Sequence, residues 1–132
     1  MCNIDRIMEL ISWEQSSENQ EKGIKQAMHV ERINVFLQRR NTRYNKNVWE
    51  NCAKILAFKT DEELSPYLIE LMSWLQDMNW PGSFCILERL GRFGNRRQIE
   101  RAMKITNTIA TAVGDNVWQQ NLLVINCATQ KR

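Results

Sequence analysis

The sequence contains few residues that break helices and few that bind metals. Five glycines and two prolines occur in 132 residues, which is too few for the many turns of a β-sandwich. The single histidine, His29, and four cysteines without a Cys-x-x-Cys pair do not supply the usual tetrahedral zinc set. We therefore expect no metal, no cofactor and free thiols at all four cysteines, which are Cys2, Cys52, Cys85 and Cys127.

Long apolar runs and targeting signals are also missing. No run approaches the roughly 20 apolar residues that cross a bilayer. The first residues lack a basic stretch followed by an apolar one, so they do not resemble a signal peptide. The formal net charge is only +3, and acidic and basic residues are interleaved. These absences predict a cytoplasmic protein without a membrane partner.

The sequence also lacks the motifs of common enzymes. It has no Gly-rich phosphate loop and no Gly-x-Ser-x-Gly motif. His29 has no nucleophile or motif near it in the sequence, so it gives no reason to assign a general base. We therefore expect a non-catalytic protein, and a binding role follows by elimination.

The residues that are present predict helices along the whole chain. Apolar side chains recur at helical spacing and no strand signal is comparably strong, so the pattern predicts a single domain over residues 1–132 with about seven helices. The strongest helix carries Leu64, Leu68, Leu71 and Leu75 after a capping box formed by Thr60 and Glu63. The fold class predicted from this pattern is all-α.

Local signals predict where several helices begin and end. Ser17 with Gln20 is predicted to be a capping box, and Asn95 with Gln98 to start a long helix that ends at Gly114. The polar and basic stretch Gln38–Asn45 is predicted to be a loop.

Two segments of the sequence align with each other without gaps. Trp49–Leu56 matches Trp80–Leu87 at a spacing of 31 residues, which is in the range of stacked helix pairs. This spacing predicts antiparallel helical hairpins stacked as a short HEAT-like α-α superhelix, with Trp49 and Trp80 buried at equivalent positions. The alternative is a chance similarity between two amphipathic helices.

The segment Leu71–Gly82 contains the letters Trp-Leu-Gln-Asp-Met-Asn-Trp-Pro. It resembles the signature of an uncharacterised bacterial domain family that is marked by a Trp-Leu-x-Asp-Met-Asn-Trp-Pro core. The resemblance is specific over roughly Tyr67 to Leu90. It implies a small helical protein of HEAT-like fold, and it implies no activity and no catalytic residues.

The turn inside this signature is the first candidate binding surface. Asp77, Asn79 and Trp80 would place a carboxylate, an amide and an indole on one tight turn. In the structural interpretation, which we favour, Asn79 ends a helix in the left-handed conformation, Trp80 is a wedge between helices and Pro81 begins the next helix.

A basic run is the second candidate surface. It consists of Arg89, Arg92, Arg96, Arg97, Arg101 and Lys104. Arg97, Arg101 and Lys104 share one helix face at i, i+4 and i+7 and could contact phosphates. A solvated helix face is the favoured alternative because the net charge is small.

Two functions therefore remain open at this point. The first is a protein-binding module of unknown partner, for which an adaptor or immunity-type role would suit a small chain. The second is a nucleic-acid-binding helical array that uses the basic face near residues 89–104. A hydrolase ranks last because no catalytic set supports it.

Overall fold

The computed structural model describes residues 3–37 and 44–130, with side chains described as far as residue 125. All regular secondary structure in these residues is helical, which confirms the all-α prediction. The α-helices are α1 (Ile4–Ile11), α2 (Ser17–Ala27), α3 (Trp49–Ala57), α4 (Asp61–Leu64), α5 (Leu68–Ser73), α6 (Ser83–Gly91), α7 (Arg96–Ala112) and α8 (Asn116–Gln130). Four 3₁₀ turns accompany them at Ile33–Phe36, Lys46–Val48, Ser65–Tyr67 and Trp74–Gln76.

The α4 and α5 helices belong to one continuous helical segment. α4, Ser65–Tyr67, α5 and Trp74–Gln76 follow one another without a break, and we call this segment the 61–76 rod. With the rod counted once, the described residues contain seven helices, as predicted. Pro66 explains the 3₁₀ turn in the rod because proline cannot donate the hydrogen bond that a continuous α-helix needs there.

Several predicted helix starts are confirmed. Thr60 and Glu63 form the complete capping box, in which each side chain accepts a hydrogen bond from the other residue's backbone amide. Asn95 accepts from the Gln98 amide at 3.1 Å and starts α7. Gly114 follows α7 with a φ of +70°, as expected for a glycine that ends a helix.

One predicted start is wrong by a residue. Ser16, rather than Ser17, accepts a hydrogen bond from the Asn19 amide at 3.1 Å and caps α2. Adjacent serines give the same sequence signal, so the pattern did not distinguish them. Residues 38–43 of the predicted Gln38–Asn45 loop lie outside the described part of the chain.

The helices pack in two rows. α3 contacts α6, and α6 contacts α8, while the 61–76 rod contacts α7 through α5. α7 and α8 also contact each other. The contacts of α3 with α6, of α6 with α8 and of the 61–76 rod with α7 join helices that are next but one in the sequence, whereas α7 and α8 are consecutive.

The first two helices pack on this arrangement through α3. α1 and α2 contact each other closely, and α2 contacts α3. Buried Asn51 of α3 donates to the Ile11 carbonyl at 2.7 Å and to Gln20 Oε1 at 2.9 Å. A buried amide whose hydrogen bonds are made fixes the relative position of the elements that it joins.

One cluster of buried apolar side chains runs from Ile7 to Ile125. Trp118 of α8 is buried in it and donates from Nε1 to the Met72 carbonyl at 3.0 Å. Asn121 donates to the Leu75 carbonyl at 2.7 Å. These two bonds place α8 against the 61–76 rod. Among the described residues, no helix is both long enough and apolar enough to cross a membrane.

Candidate functional site

The Asp77–Gly82 turn is held by hydrogen bonds within the turn and to the helices on either side. Asp77 Oδ1 accepts from the Asn79 amide at 2.8 Å, and the Asp77 carbonyl accepts from the Trp80 amide at 3.0 Å. The Ser83 hydroxyl is buried and lies 2.8 Å from the Asp77 carbonyl and 3.0 Å from the Trp74 carbonyl. The Asp77 carboxylate therefore has a structural role in this turn.

Two predictions about the turn are wrong. Asn79 is not left-handed, because no described residue other than glycine has a positive φ. Gly82 has that conformation instead, with a φ of +89°. Pro81 does not begin the next helix, which starts at Ser83, and its carbonyl accepts from Trp74 Nε1 at 2.9 Å. Gly82, rather than Asn79, has the left-handed conformation, and Gly82 is also the residue that packs closely on α3.

Gly82 is where the turn touches α3. A Cβ at this position would lie 2.7 Å from the Ala53 Cβ, 3.0 Å from the Trp49 carbonyl oxygen and 3.3 Å from the Trp74 ring. Only glycine satisfies both the positive φ and this close approach.

Three indoles meet beside this contact. The ring centroids of Trp49 and Trp80 are 5.5 Å apart with the planes at 89°, and those of Trp49 and Trp74 are 6.0 Å apart at 73°. Both arrangements are the favoured edge-to-face geometry. Lys46 Nζ lies 5.6 Å from the centroid of Trp49 and 5.7 Å from that of Trp80, within cation–π range.

The prediction of equivalent burial for Trp49 and Trp80 is also wrong. Trp49 is buried and is the first residue of α3, whereas Trp80 is only half-buried and lies three residues before Ser83. The two indoles contact each other instead of occupying matched positions in two repeats. A gapless alignment missed this difference because the helices begin at different points relative to the two tryptophans.

Arg89 and Arg92 of the basic run form ion pairs within the protein. Arg89 is buried and donates to the Lys59 carbonyl at 2.9 Å and to Asp61 Oδ1 at 2.6 Å. Arg92 donates to both Glu88 carboxylate oxygens at 2.8 and 3.0 Å. The run of six basic residues is therefore not one exposed surface.

The Arg89–Asp61 pair is a structural feature that the sequence did not indicate. Asp61 Oδ2 also accepts from the Gly94 amide at 2.9 Å, so this carboxylate joins the start of the 61–76 rod to α6 and to the α6–α7 connection. Burial acts to raise the pKa of Asp61, but the Gly94 hydrogen bond and the Arg89 guanidinium outweigh it and hold the pKa below its ordinary value. The paired residues are 28 positions apart in the sequence, so no local pattern reveals them.

Arg97, Arg101 and Lys104, which we call the basic row, lie on the solvent side of α7. All three are exposed. Within the described part of the chain they form no ion pair and no hydrogen bond through their side chains. The structure thus keeps these three cations together on one face, as the sequence predicted.

An exposed apolar row continues along the same helix as far as the residue that follows its end at Ala112. Ile105, Ile109 and Val113 are 43%, 40% and 67% exposed and follow one another at intervals of four residues. Ile105 is next to Lys104 in the sequence and one turn beyond Arg101. A stripe of isoleucine and valine at helical spacing usually faces the core, but Ile109 and Val113 are exposed here.

An open groove of about 230 Å³ lies between this face of α7 and the 61–76 rod. Its apolar part includes buried Leu68 and Ala102, and Arg101 and Ile105 also line it. The complete lining consists of Ser65, Pro66, Leu68, Ile69, Gln98, Arg101, Ala102 and Ile105. The groove therefore adjoins Arg101 of the basic row and Ile105 of the apolar row.

A cleft of about 340 Å³ beside α1 is lined by acidic side chains that have hydrogen-bond partners within the protein. Its lining includes Asp5, Glu9, Glu14, Tyr44 and Asn47. Asp5 accepts from the Tyr44 hydroxyl, and Glu14 accepts from the Asn47 side-chain amide.

Among the described residues, no group of three or more histidine, cysteine, aspartate and glutamate side chains is placed to hold a metal ion. Cys52 and Cys85 form no disulfide bond with each other, and Cys2 and the Cys127 side chain lie outside the described part.

The structure does not bring the two predicted surfaces together. Asp77, Asn79 and Trp80 belong to a turn that packs on α3, whereas the basic row belongs to α7, which packs on α5 and α8. The conformation of the turn is explained by its own hydrogen bonds and by its packing on α3, although Asn79 and Pro81 do not have the roles predicted for them. The α7 face is not explained by the fold and is therefore the stronger candidate.

Comparison with known proteins gives one match. A family model described as a domain of unknown function (DUF5071) matches residues 44–130, which is about two thirds of the chain. The match includes both the Asp77–Gly82 turn and α7. No curated protein and no solved structure matches the chain.

Proposed function

This chain belongs to the DUF5071 family, a domain of unknown function, and on that premise we propose that it is a non-catalytic protein-binding module. The binding surface is the α7 face made of the basic row and the apolar row. An adaptor or immunity-type role fits a small helical chain of this kind. The cytoplasmic location and the bacterial origin that the sequence suggested are part of the same proposal.

The exposed apolar row is the observation that carries the proposal. Single exposed apolar side chains are ordinary on protein surfaces, but a contiguous row beside charged residues is typical of interaction sites. Ile105, Ile109 and Val113 lie on one helix flank and leave apolar surface in water. Burial of such surface against a partner gains about 25 cal/mol for each Å² removed from water.

Nucleic-acid binding is the second candidate, and the basic row supports it. Three cations at i, i+4 and i+7 can contact adjacent phosphates. The exposed carboxylate of Glu100 lies on the same helix, however, and reduces the positive potential. The apolar row next to the cations has no counterpart on a phosphate backbone, so we favour a protein partner.

We also propose that the domain is HEAT-like. The contacts of α3 with α6, of α6 with α8, and of the 61–76 rod with α7 support stacked helix pairs. Stacked helix pairs commonly bind proteins along extended helix faces. The α7 face suits that mode because it runs along one whole helix.

A capture experiment tests the protein-binding proposal. The immobilised full-length chain is exposed to an extract of the source cell after nuclease treatment, and bound proteins are identified by mass spectrometry. We expect a defined set of proteins that is lost from the double variant Ile105→Ser, Ile109→Ser. The matched control is Phe58→Ser, which removes a side chain that is 71% exposed on a different helix end.

The outcomes separate the two candidate functions. Retention of the same proteins by the Ile105→Ser, Ile109→Ser variant would contradict a binding role for the apolar row. Titration against duplex DNA and duplex RNA at two salt concentrations tests the second candidate. Binding that weakens steeply with salt and does not depend on Ile105 and Ile109 would favour nucleic acid over protein.

A further inference from the structure

We infer that the α7 face binds an amphipathic helical segment of the partner that carries carboxylates at one end and apolar side chains along the rest. This inference rests on the proposed function and specifies the chemistry of its partner. The carboxylates would face the basic row, and the apolar side chains would lie on the apolar row and in the groove beside it.

The first turn of α7 carries positive charge, which is unfavourable at the amino-terminal end of a helix. The amino-terminal end of a helix carries a partial positive charge, so acidic side chains are favourable there and basic ones are not. The first turn of α7 contains Arg96 and Arg97 and no acidic residue. Arg97 and Arg101 are also like charges at i and i+4, which destabilises a helix further.

No carboxylate of the described residues pairs with the basic row, so its charge remains available to a partner. Arg92, by contrast, is neutralised by Glu88 at 2.8 Å. Arg92 thus differs from Arg97 and Arg101, although all three belong to the same run in the sequence. Cations that have no ion-pair partner among the described residues, in the amino-terminal half of α7, favour an anionic partner.

The face is long enough for a helix to lie along it. From Gln98 to Val113 it extends over about 22 Å at 1.5 Å per residue. That length accommodates about four turns of a partner helix. Ile105 and Ile109 repeat every four residues, so a partner that presents apolar side chains at i, i+4 and i+7 would place them against successive residues of the row.

The groove makes the face concave at the junction of the two rows. Ile105 and Arg101 both line it, and the side chains of Leu68 and Ala102 are 5% and 6% exposed there. One large apolar side chain of the partner would fill the groove, while a carboxylate one turn away would reach Arg101. A partner that satisfies only one of these two contacts would leave the other half of the face in water.

A display experiment tests the chemistry without knowledge of the natural partner. A library of helix-forming 16-residue peptides, randomised at the surface positions, is selected against the wild-type chain. It is also selected against a variant in which the basic row is replaced by glutamate (Arg97→Glu, Arg101→Glu, Lys104→Glu). The control variant Lys22→Glu, Lys25→Glu, Lys54→Glu has the same net charge, and all three of its positions are exposed elsewhere.

We expect the wild-type chain and the control variant to select peptides rich in aspartate, glutamate and large apolar residues at helical spacing. The charge-reversed variant should select basic peptides instead. The Kd of the best acidic peptide should weaken at least about tenfold on charge reversal, and also on Ile105→Ser with Ile109→Ser, but should stay within about twofold in the control. Circular dichroism checks that each variant is folded.

Three results would overturn the inference. They are no peptide selected by the wild-type chain, pools whose net charge does not differ between wild type and the charge-reversed variant, and acidic peptides that bind equally well without Ile105 and Ile109. The proposed function would survive any of these if the capture experiment still gave proteins that depend on the apolar row. The proposed function would fail separately if the same proteins were captured after Ile105 and Ile109 were replaced by serine.

Discussion

Gly82 is the residue on which the Asp77–Gly82 turn depends. We expect Gly82→Ala to destabilise the protein by about 2–4 kcal/mol, because alanine is strained at a φ of +89° and its Cβ would lie 2.7 Å from Ala53 Cβ. Gly114→Ala is the matched control. Gly114 also has a positive φ, +70°, but a Cβ there meets nothing within 4 Å, so we expect only about 1 kcal/mol.

Urea denaturation of both variants measures this difference. Equal losses of stability in Gly82→Ala and Gly114→Ala would show that the contact with α3 adds nothing to the cost of the backbone conformation. Gly82→Ala should also increase the accessibility of Trp80 to a soluble fluorescence quencher, because the turn would no longer seat against Trp49.

Asp61 makes the protein sensitive to acid. Its pKa is held below the ordinary value, so it contributes stability above the pKa of an unfolded aspartate, about 4, and that contribution is lost as pH falls through the lower folded pKa. Asp61→Asn should cost about 1–3 kcal/mol at pH 7, because buried Arg89 would lose its charged partner. We place the loss below that of a fully buried pair because the Asp61 side chain is 40% exposed.

The difference between wild type and Asp61→Asn should therefore shrink as pH falls from 7 towards 3. Urea denaturation at several pH values measures it, and Glu62→Gln, an exposed neighbour on the same helix, is the control. Glu63 remains in both proteins, so its own pKa, lowered by the Thr60 hydrogen bonds, does not affect the comparison. A difference that is constant with pH would contradict the assigned role of Asp61.

At the scale of the element, α7 is a helix with unfavourable charge at its start. We expect Arg97→Glu to stabilise the folded protein by about 0.5–1 kcal/mol. The glutamate would complement the positive end of the helix, and it would be placed to pair with Arg101 at i+4. Lys104→Glu is the control, since it lies in the middle of α7, where the end charge has little effect.

Denaturation at low ionic strength measures the gain from Arg97→Glu, and high salt should reduce it. A loss of stability in Arg97→Glu would show that Arg97 has a structural role in the folded chain. A gain would indicate that this arginine lowers stability, as residues kept for binding often do.

Elements were easier to predict from the sequence than the contacts between them. The Thr60–Glu63 box and the Asn95 cap depend on residues three positions apart, so local letters were enough to place both. Asn79 and Gly82 both suit a left-handed position, and only the close approach of α3 decides between them. Contacts between residues that are distant in the sequence therefore determine which residue is left-handed, and local preference does not.

The same limit applies to the candidate site. The spacing of Arg97, Arg101 and Lys104 correctly predicted their shared face, because helical geometry alone determines it. The burial of Arg89 was not predictable, since its partners at Lys59 and Asp61 come from another element. The exposure of Ile109 is not predictable from local sequence either. A helix flank faces the core only where a neighbouring helix covers it.

For the molecule as a whole, two rows of helices account for most of the buried residues and leave α7 with one uncovered face. The buried cluster draws on α1 at one end of the chain and on α8 at the other. Asn51 joins the first two helices to α3, and Trp118 joins the last helix to the 61–76 rod. These contacts join both ends of the described chain to one buried core, and the exposed apolar row of α7 lies outside it.

We expect the position of the basic row beside the apolar row also to affect the solubility of the protein. Cations that flank an apolar segment act as gatekeepers, because they repel a second copy before the apolar surfaces can meet. This protection is electrostatic, with a range of about 10 Å at 0.1 M salt and only about 3 Å at 1 M. The protein should therefore be most soluble at low ionic strength and begin to self-associate as salt is added, so the charges that attract an acidic partner are also the ones that keep identical chains apart.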